Sequence, residues 1–181
     1  MRKFNPQSTE VGIKRLDLKE TDVFLELGAG EGVGIQSLET IPARIVLVEI
    51  SDQFRNVLEE IKAGLSFQNR IEIHGQDCKH MPFLENNSVD KVFAMNVVYF
   101  LNPLEEYLNE LHRVVKPGGT VVFGCKLAAL PRDSSVFVNV EEEKITRLME
   151  NAGFRVTSEF IEVSDDEPAR NFLELRGTKK T

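Results

Sequence analysis

Glycine occupies positions 28, 30, 32 and 34, directly after the apolar run at residues 23–27. A helical pattern with Ile35, Leu38 and Ile41 on one side follows and stops before Pro42. Alternating glycines let a backbone adopt left-handed conformations and approach a ligand closely. The stretch therefore predicts a strand, a ligand-binding loop and a helix, and it requires the rest of the chain to flank that strand.

The alternation of strand and helix continues beyond this unit. Five predicted strands are short apolar runs, at residues 23–27, 45–48, 70–74, 89–95 and 120–124. Amphipathic helices are predicted from Ser51 to Leu65 and from Asn102, as cap, to Val115. This rhythm indicates an α/β fold with a parallel sheet that is covered on both faces.

The two ends of the chain interrupt this rhythm. Residues 9–18 predict a short leader helix packed beside the glycine loop, and residues 126–138 predict a loop. Asn139 and Glu142 have the spacing of a capping box for a helix ending at Gly153. The last two strands, at residues 154–163 and 171–177, are predicted to form an antiparallel hairpin that closes one sheet edge, giving seven strands in all.

Composition excludes several classes of protein. The net charge is -7, and no basic run is longer than Lys179-Lys180, which disfavours a nucleic-acid partner. The sequence contains no secretory signal and no apolar run of membrane-spanning length, so we expect a cytoplasmic protein with no membrane partner. Two isolated cysteines, Cys78 and Cys125, form neither a disulfide framework nor a zinc motif, and no metal site is predicted.

The spacing of the glycine loop argues against a dinucleotide. A G-x-G-x-x-G fingerprint that starts at Gly28 needs glycine at position 33, which is Val33. Glu26 and Glu31 would repel a pyrophosphate seated on the following helix, whereas they suit a ligand that carries positive charge. The loop therefore favours a cationic nucleoside.

Residues 26–32, in the order Glu-Leu-Gly-Ala-Gly-Glu-Gly, resemble the first motif of the class I S-adenosylmethionine-dependent methyltransferases. Glu49 stands at the position of the family's ribose-binding acid, and residues 75–78 with 81–83 and 88–90 resemble its next two segments. Residues 111–119 are similar to its helix-to-fifth-strand signature. The likeness runs from Val23 to Gly177, and the branch that the chain most resembles is the broad small-molecule group that includes quinone-biosynthesis enzymes.

The resemblance implies a Rossmann-like, doubly wound sheet of seven strands, mostly parallel with an antiparallel C-terminal hairpin. It implies one methyltransferase domain over residues 1–181: a leader region (1–20), a cofactor-binding half (21–125), and a loop, helix and hairpin on the substrate side (126–181). The cofactor would be S-adenosylmethionine. Its implied contacts are Glu26, Gly28, Ala29, Gly30, Gly32, Glu49, Ile50, Asp77, Cys78 and Asn96.

Roles within this site follow partly from chemistry. The two oxygens of Glu49 suit the two hydroxyl groups of a ribose, and Asp77 would accept a hydrogen bond from the adenine amino group. The backbone N–H of Cys78 would face the adenine ring. Tyr99 and His80 are candidates for acceptor contacts. The structural alternative for Tyr99 is a ring in the core, and for His80 it is an ordinary loop residue. No catalytic residue is assigned.

The predicted reaction is in-line transfer of a methyl group to an unidentified acceptor. A small molecule is favoured by the net acidity, and a protein acceptor stays open. Two rivals remain: a non-catalytic module that keeps the nucleoside pocket and binds a protein partner, and an NAD-dependent oxidoreductase, which Val33 disfavours.

Overall fold

The computed structural model describes residues 6–127, 130, 135–164 and 168–181. Within these residues the strands are β1 Val23–Leu27, β2 Arg44–Val48, β3 Ile71–His74, β4 Val89–Met95, β5 Val115–Cys125, β6 Phe154–Ile161 and β7 Phe172–Lys179. The helices are α1 Pro6–Lys14, α2 Val33–Gln36, α3 Asp52–Ala63, α4 Leu104–Val114 and α5 Glu142–Asn151. Single 3-10 turns occur at Gln68–Arg70, Val98–Phe100 and Pro168–Arg170.

The seven strands form one sheet in the order β3-β2-β1-β4-β5-β7-β6. Strands β1 to β5 pair in parallel, whereas β7 lies antiparallel between β5 and β6. The predicted α/β class, the parallel sheet and the C-terminal hairpin are thereby confirmed. The direction in which successive strands are added to the sheet reverses at β1, which has β2 on one side and β4 on the other. Open α/β sheets bind ligands at such a switch point.

Helices cover both faces of the sheet because the buried residues of each strand alternate between two cores. Phe24, Ile45 and Phe93 belong to the core that includes Ile13 of α1, Ile35 of α2 and Leu58 of α3. The other core joins the opposite face to α4 and α5 and contains Leu25, Val92, Phe123, Leu108 and Met149. Since α1 belongs to the first core together with Ala29, the leader packs beside the glycine loop as predicted.

Two helices near the N-terminus have bounds that differ from those predicted. The leader helix begins at Pro6 and ends at Lys14. It does not continue to residue 18, because Asp17 adopts a left-handed φ of 51° that a helix cannot contain. The second helix ends at Gln36 and does not continue to Ile41. The Ser37 hydroxyl donates to the Val33 carbonyl at 2.6 Å, and the Ser37 N–H donates to the Val33 and Gly34 carbonyls at 3.0 and 3.1 Å, so Ser37 caps the helix end.

Three other boundaries also differ. Pro103, rather than Asn102, is the residue that precedes α4. Residues 116–119, expected to end α4 as a turn, lie within β5, which pairs with β4 through a register shift between Val89 and Lys91. The predicted capping box at Asn139 is also wrong, because Glu141 occupies the N-cap position of α5, without a side-chain hydrogen bond, and the Asn139 amide bonds elsewhere. Parts of the predicted loop at 126–138 and of the segment that joins the last two predicted strands, at 164–168, lie outside the described residues.

Among the described residues, no helix combines the length and the apolar character needed to cross a membrane.

Candidate functional site

The glycine loop follows β1 at the switch point of the sheet. Gly28, Gly30 and Gly32 have positive φ angles of 65°, 51° and 75°, a region that other residues rarely adopt. A Cβ at Gly28 would lie 2.6 Å from Val97, so this glycine is also required by packing. A Cβ at Gly30 would come within 4 Å of only one atom, the Gly28 oxygen at 3.9 Å. The space beside Gly30 is therefore open to a ligand.

Glu26, the last acidic residue before the loop, is buried with only 3% of its surface exposed. Its Oε2 atom is buried and has no hydrogen-bond partner. Gly34 makes this placement possible, since a Cβ there would lie 2.5 Å from the Glu26 carboxyl carbon. Burying a carboxyl group without a partner is costly, so an arrangement that keeps one beside the loop indicates a polar ligand.

Burial, together with the charge of Glu49, raises the pKa of Glu26 from 4.5 to about 8. We therefore expect the free protein to lose stability as the pH rises from about 4.5 to about 8. In that window the unfolded chain has released a proton that the folded chain still holds, so rising pH favours unfolding. The full cost above pH 8 is at most about 5 kcal/mol.

Thermal melts of the wild-type protein and of Glu26→Gln between pH 5 and 9 measure this effect. The difference in Tm between the two proteins should widen up to about pH 8 and then stay constant. A difference that is the same at every pH would show that Glu26 titrates like an exposed carboxyl group.

Glu49, directly after β2, joins the loop to the neighbouring strand end. Its Oε2 accepts from the Gly30 N–H and its Oε1 from the Ser51 N–H, both at 2.9 Å. The residue is 7% exposed, and each oxygen keeps a second lone pair. The next residue, Ile50, is 72% exposed although it is large and apolar.

Arg55 on α3 supports this strand end and was missed by the sequence interpretation. Its Nη1 donates to the Glu49 carbonyl at 2.8 Å, and its guanidinium packs against Gly75. The same guanidinium pairs with Asp52. An arginine on the polar side of an amphipathic helix gives no signal of such a role, because only the tertiary structure brings it to the strand end.

Asp77 lies in the loop after β3 and is exposed. Its Oδ1 accepts from the Lys79 N–H at 3.1 Å, and its Oδ2 accepts from the Tyr107 hydroxyl at 3.2 Å. Burial and the nearby Asp77 charge raise the pKa of Tyr107 to about 12, so the hydroxyl stays protonated and donates. Tyr107 was also missed, although its place beside Leu104 and Leu108 on the apolar stripe of α4 marks it as inward-facing.

Two neighbours of Asp77 differ in their exposure. Cys78 is buried, and burial raises the pKa of its thiol to about 12, which excludes a thiolate nucleophile near neutral pH. His80 is exposed and only its backbone N–H bonds back to the Asp77 carbonyl, at 3.1 Å. The predicted role of His80 in acceptor binding stays a prediction.

Asn96 follows β4 with a left-handed φ of 58°. Its backbone N–H donates to the Gly124 carbonyl at 2.8 Å, and its Oδ1 accepts from the Tyr99 hydroxyl at 2.9 Å. The same hydroxyl accepts from the Lys126 N–H. Tyr99 is 3% exposed, so it acts within the scaffold by joining the ends of β4 and β5, and the predicted acceptor contact through Tyr99 stays a prediction.

The predicted cofactor residues come together at one edge of the sheet. Glu26 lies within β1, next to its last residue, and the others follow β1, β2, β3 and β4, which are four adjacent strands in the order β3-β2-β1-β4. We call this the carboxyl edge, because the parallel strands end there. The arrangement offers carboxylates from three strand ends around one open glycine turn, which suits a ligand with several donor groups and a positive charge.

A separate concave region is lined by residues of β6 and β7 and by Arg15, which directly follows α1. Its lining includes Arg15, Glu159, Glu174 and Arg176. Arg15 contacts Glu174 at 3.0 Å and Glu159 at 2.5 Å, and Arg176 contacts Glu174 at 3.0 Å. These charges satisfy one another, so the region is a paired network that holds α1 against the hairpin.

Comparison with known proteins identifies the family. Residues 25–123 match the methyltransferase domain family, which is more than half of the chain. The sterol 4-C-methyltransferase strm-1 of Caenorhabditis elegans is 27% identical over 66% of the chain. The malonyl-[acyl-carrier protein] O-methyltransferase of a Marinomonas species is 31% identical over 71% of it. The chain spans only 38% and 47% of the lengths of these two relatives.

Solved structures agree on the fold. A Haloferax volcanii putative methyltransferase, solved in complex with the Trm112 methyltransferase activator, superposes with a TM-score of 0.82 at 18% identity. The match covers 97% of this chain and 90% of that one. The chain belongs to the methyltransferase domain family of class I S-adenosylmethionine-dependent enzymes, and its cofactor is S-adenosylmethionine.

Proposed function

We propose that this protein transfers the methyl group of S-adenosylmethionine to a small-molecule acceptor, and that the carboxyl edge of the sheet is the cofactor site. The observation that carries the proposal is the buried Glu26 carboxyl group, whose Oε2 has no partner. It lies against Gly34 of the glycine loop and near the charge of Glu49, which accepts from the Gly30 N–H. A cofactor with a cationic end would supply the missing partner. The described residues therefore suit the cofactor that the family uses.

Each predicted residue takes a role that its surroundings permit. Backbone N–H groups already use one lone pair on each Glu49 oxygen. Glu49 would hold the ribose hydroxyl groups through the lone pairs that remain. Asp77, fixed by Tyr107, would accept from the adenine amino group, and Ile50 would cover one face of the ring. Asn96 would border the end of the site that faces the acceptor.

The cofactor supplies a methyl group already activated by its sulfonium charge. The chain's own task is then to orient the acceptor and to keep water away from the reacting atoms. Glu26 would hold the charged end of the cofactor, and the left-handed glycines would let the backbone approach it. No side chain is assigned as a general base.

The acceptor is proposed as a small molecule because of the net charge of -7, which disfavours a polyanion. The two relatives act, by their names, on a sterol and on a malonyl group carried by a protein, so family membership alone does not identify the acceptor. The Haloferax structure is a complex with an activator protein, which keeps a partner-binding, non-catalytic module as the second candidate.

Titration calorimetry with S-adenosylhomocysteine tests the cofactor site. The wild-type protein should bind, and Asp77→Ala should bind about tenfold or more weakly, because a hydrogen bond to a charged group is lost. Glu106→Ala is the matched control, since Glu106 is a nearby exposed carboxylate that also approaches Lys79. An equal loss of affinity in both variants would mean that Asp77 acts only through its negative charge and not through a direct hydrogen bond. Absence of binding to the wild type would refute the proposal.

Radiolabelled S-adenosylmethionine, incubated with a panel of lipophilic and charged acceptors, separates the enzyme from the module. Methyl transfer above background is expected for the enzyme, whereas cofactor binding without transfer to any acceptor would favour the module. A thermal-shift measurement with NADH should show no stabilisation, because Val33 breaks the dinucleotide spacing.

A further inference from the structure

The exposed large hydrophobic side chains of the described residues all lie at the carboxyl edge. They are Ile50, Phe100, Val136 and Phe160. Ile50 follows β2, and Phe100 belongs to the 3-10 turn after β4. Phe160 pairs with Leu173, which pairs in turn with Cys125 at the end of β5. Phe160 lies apart from the others, because β6 is the outermost strand of the sheet. Ile50 and Phe100 expose apolar surface at the strand ends of the proposed cofactor site, which indicates contact with an apolar ligand there.

One of the four, Phe100, belongs to an aromatic cluster with Tyr99 and Phe137, and Val136 directly precedes Phe137 in the chain. The Phe100 and Phe137 rings lie 5.4 Å apart at an interplanar angle of 49°. Tyr99 lies beneath both, with its ring edge-on to Phe100 at 6.0 Å and to Phe137 at 6.2 Å. Phe100 is 52% exposed and Val136 58% exposed. We call Phe100, Val136 and Phe137 the aromatic platform.

Hydrogen bonds hold the platform together from beneath. The Val138 N–H donates to the Tyr99 carbonyl at 2.9 Å. The Asn139 amide, which is 4% exposed, donates to the Val98 carbonyl at 2.8 Å and to the Leu101 carbonyl at 2.7 Å. The segment that carries the half-buried Phe137 is therefore fixed to the turn that carries Phe100, and exposed Phe100 and Val136 form a preorganised surface with it.

The platform is continuous with the proposed cofactor site. Val97 packs against Gly28 of the glycine loop, and Tyr99 bonds to Asn96. The platform begins at Phe100, directly after these contacts. An acceptor resting on it would therefore lie beside the end of the site that Asn96 borders.

We propose that the aromatic platform is the acceptor subsite and that it selects an uncharged, apolar acceptor body. This inference rests on the proposed methyl transfer and specifies its substrate class. The platform contains only Phe and Val side chains. Burial against them and stacking on Phe100 therefore contribute favourable binding free energy for a neutral ring or chain. A charged body would lose hydration there without gaining a countercharge.

The test uses 1-naphthol as a neutral ring probe and 1-naphthoate as its charged match, titrated by fluorescence onto the protein saturated with S-adenosylhomocysteine. The wild type should bind 1-naphthol at least about tenfold more tightly than 1-naphthoate. Phe100→Ser should weaken 1-naphthol binding about tenfold, and Val136→Ser, a second variant in case the first fails to fold, about threefold.

Phe160→Ser is the matched control, because Phe160 is 61% exposed but lies on the distant edge strand β6, and it should change the affinity less than twofold. Equal binding of both probes, or an equal loss in Phe160→Ser, would overturn the proposal. A third outcome would also overturn the proposal and would identify a lipid contact instead. In that outcome phosphatidylcholine vesicles bind the wild type but not Phe100→Ser, and 1-naphthol does not bind. The affinity for S-adenosylhomocysteine is measured on the same samples. A loss of cofactor binding is therefore distinguished from a loss of 1-naphthol binding.

Discussion

Replacing Glu49 by alanine is expected to weaken S-adenosylhomocysteine binding by at least about a hundredfold. The Glu49 carboxylate accepts from the N–H groups of Gly30 and Ser51, so it fixes the glycine loop and the start of α3 at once. It is also the group proposed to hold the ribose. The variant thus loses a direct contact and the geometry of the neighbouring loop, and calorimetry measures both losses together.

Glu72→Ala is the control for this prediction. Glu72 lies on the adjacent strand β3 and pairs through both oxygens with Arg44, at 2.7 and 2.8 Å. Its side chain is 42% exposed, so the pair contributes little to stability. We expect near wild-type cofactor affinity in Glu72→Ala. A comparable loss in the two variants would mean that Glu49 acts only through the charge of this side of the protein.

Gly34→Ala is expected to destabilise the protein by about 1 to 3 kcal/mol and to weaken cofactor binding at least about tenfold. Helix propensity alone predicts the opposite sign, because alanine in a helix is favoured over glycine by about 1 kcal/mol. The structure reverses the expectation, since a Cβ at Gly34 would lie 2.5 Å from the Glu26 carboxyl carbon. The carboxyl group would have to leave the position proposed for binding the cationic end of the cofactor.

A double-mutant cycle isolates this contact. In a Glu26→Ala background, Gly34→Ala should be neutral or stabilising, because nothing then occupies the space. Gly64→Ala is the matched glycine control, since a Cβ there meets only the Ile61 oxygen at 3.5 Å and its φ is an ordinary -87°. If Gly34→Ala destabilises equally in both backgrounds, the cause lies in the α2 backbone and not in Glu26.

The order of elements was predictable because each signal is local. The β4 run at residues 89–95 matches its strand residue for residue, and the apolar spacing from Phe54 to Leu65 marks α3, which ends at Ala63. The predicted element boundaries were wrong where a single side chain bonds to a partner other than the expected one. Asn139 has the sequence signature of a helix cap, yet it bonds to carbonyls 38 and 41 residues away, and no local pattern encodes that choice.

The sequence by itself determined the fold class, the glycine turn and the carboxylates that follow successive strands, because hydrophobic periodicity and glycine spacing are properties of neighbouring residues. The tertiary structure alone decided that Glu26 is buried against Gly34, that Tyr107 and Arg55 support Asp77 and Glu49, and that the exposed Phe100 ring packs against the half-buried Phe137. The physical reason is that burial, pKa and ring packing depend on residues that the chain brings together from distant positions.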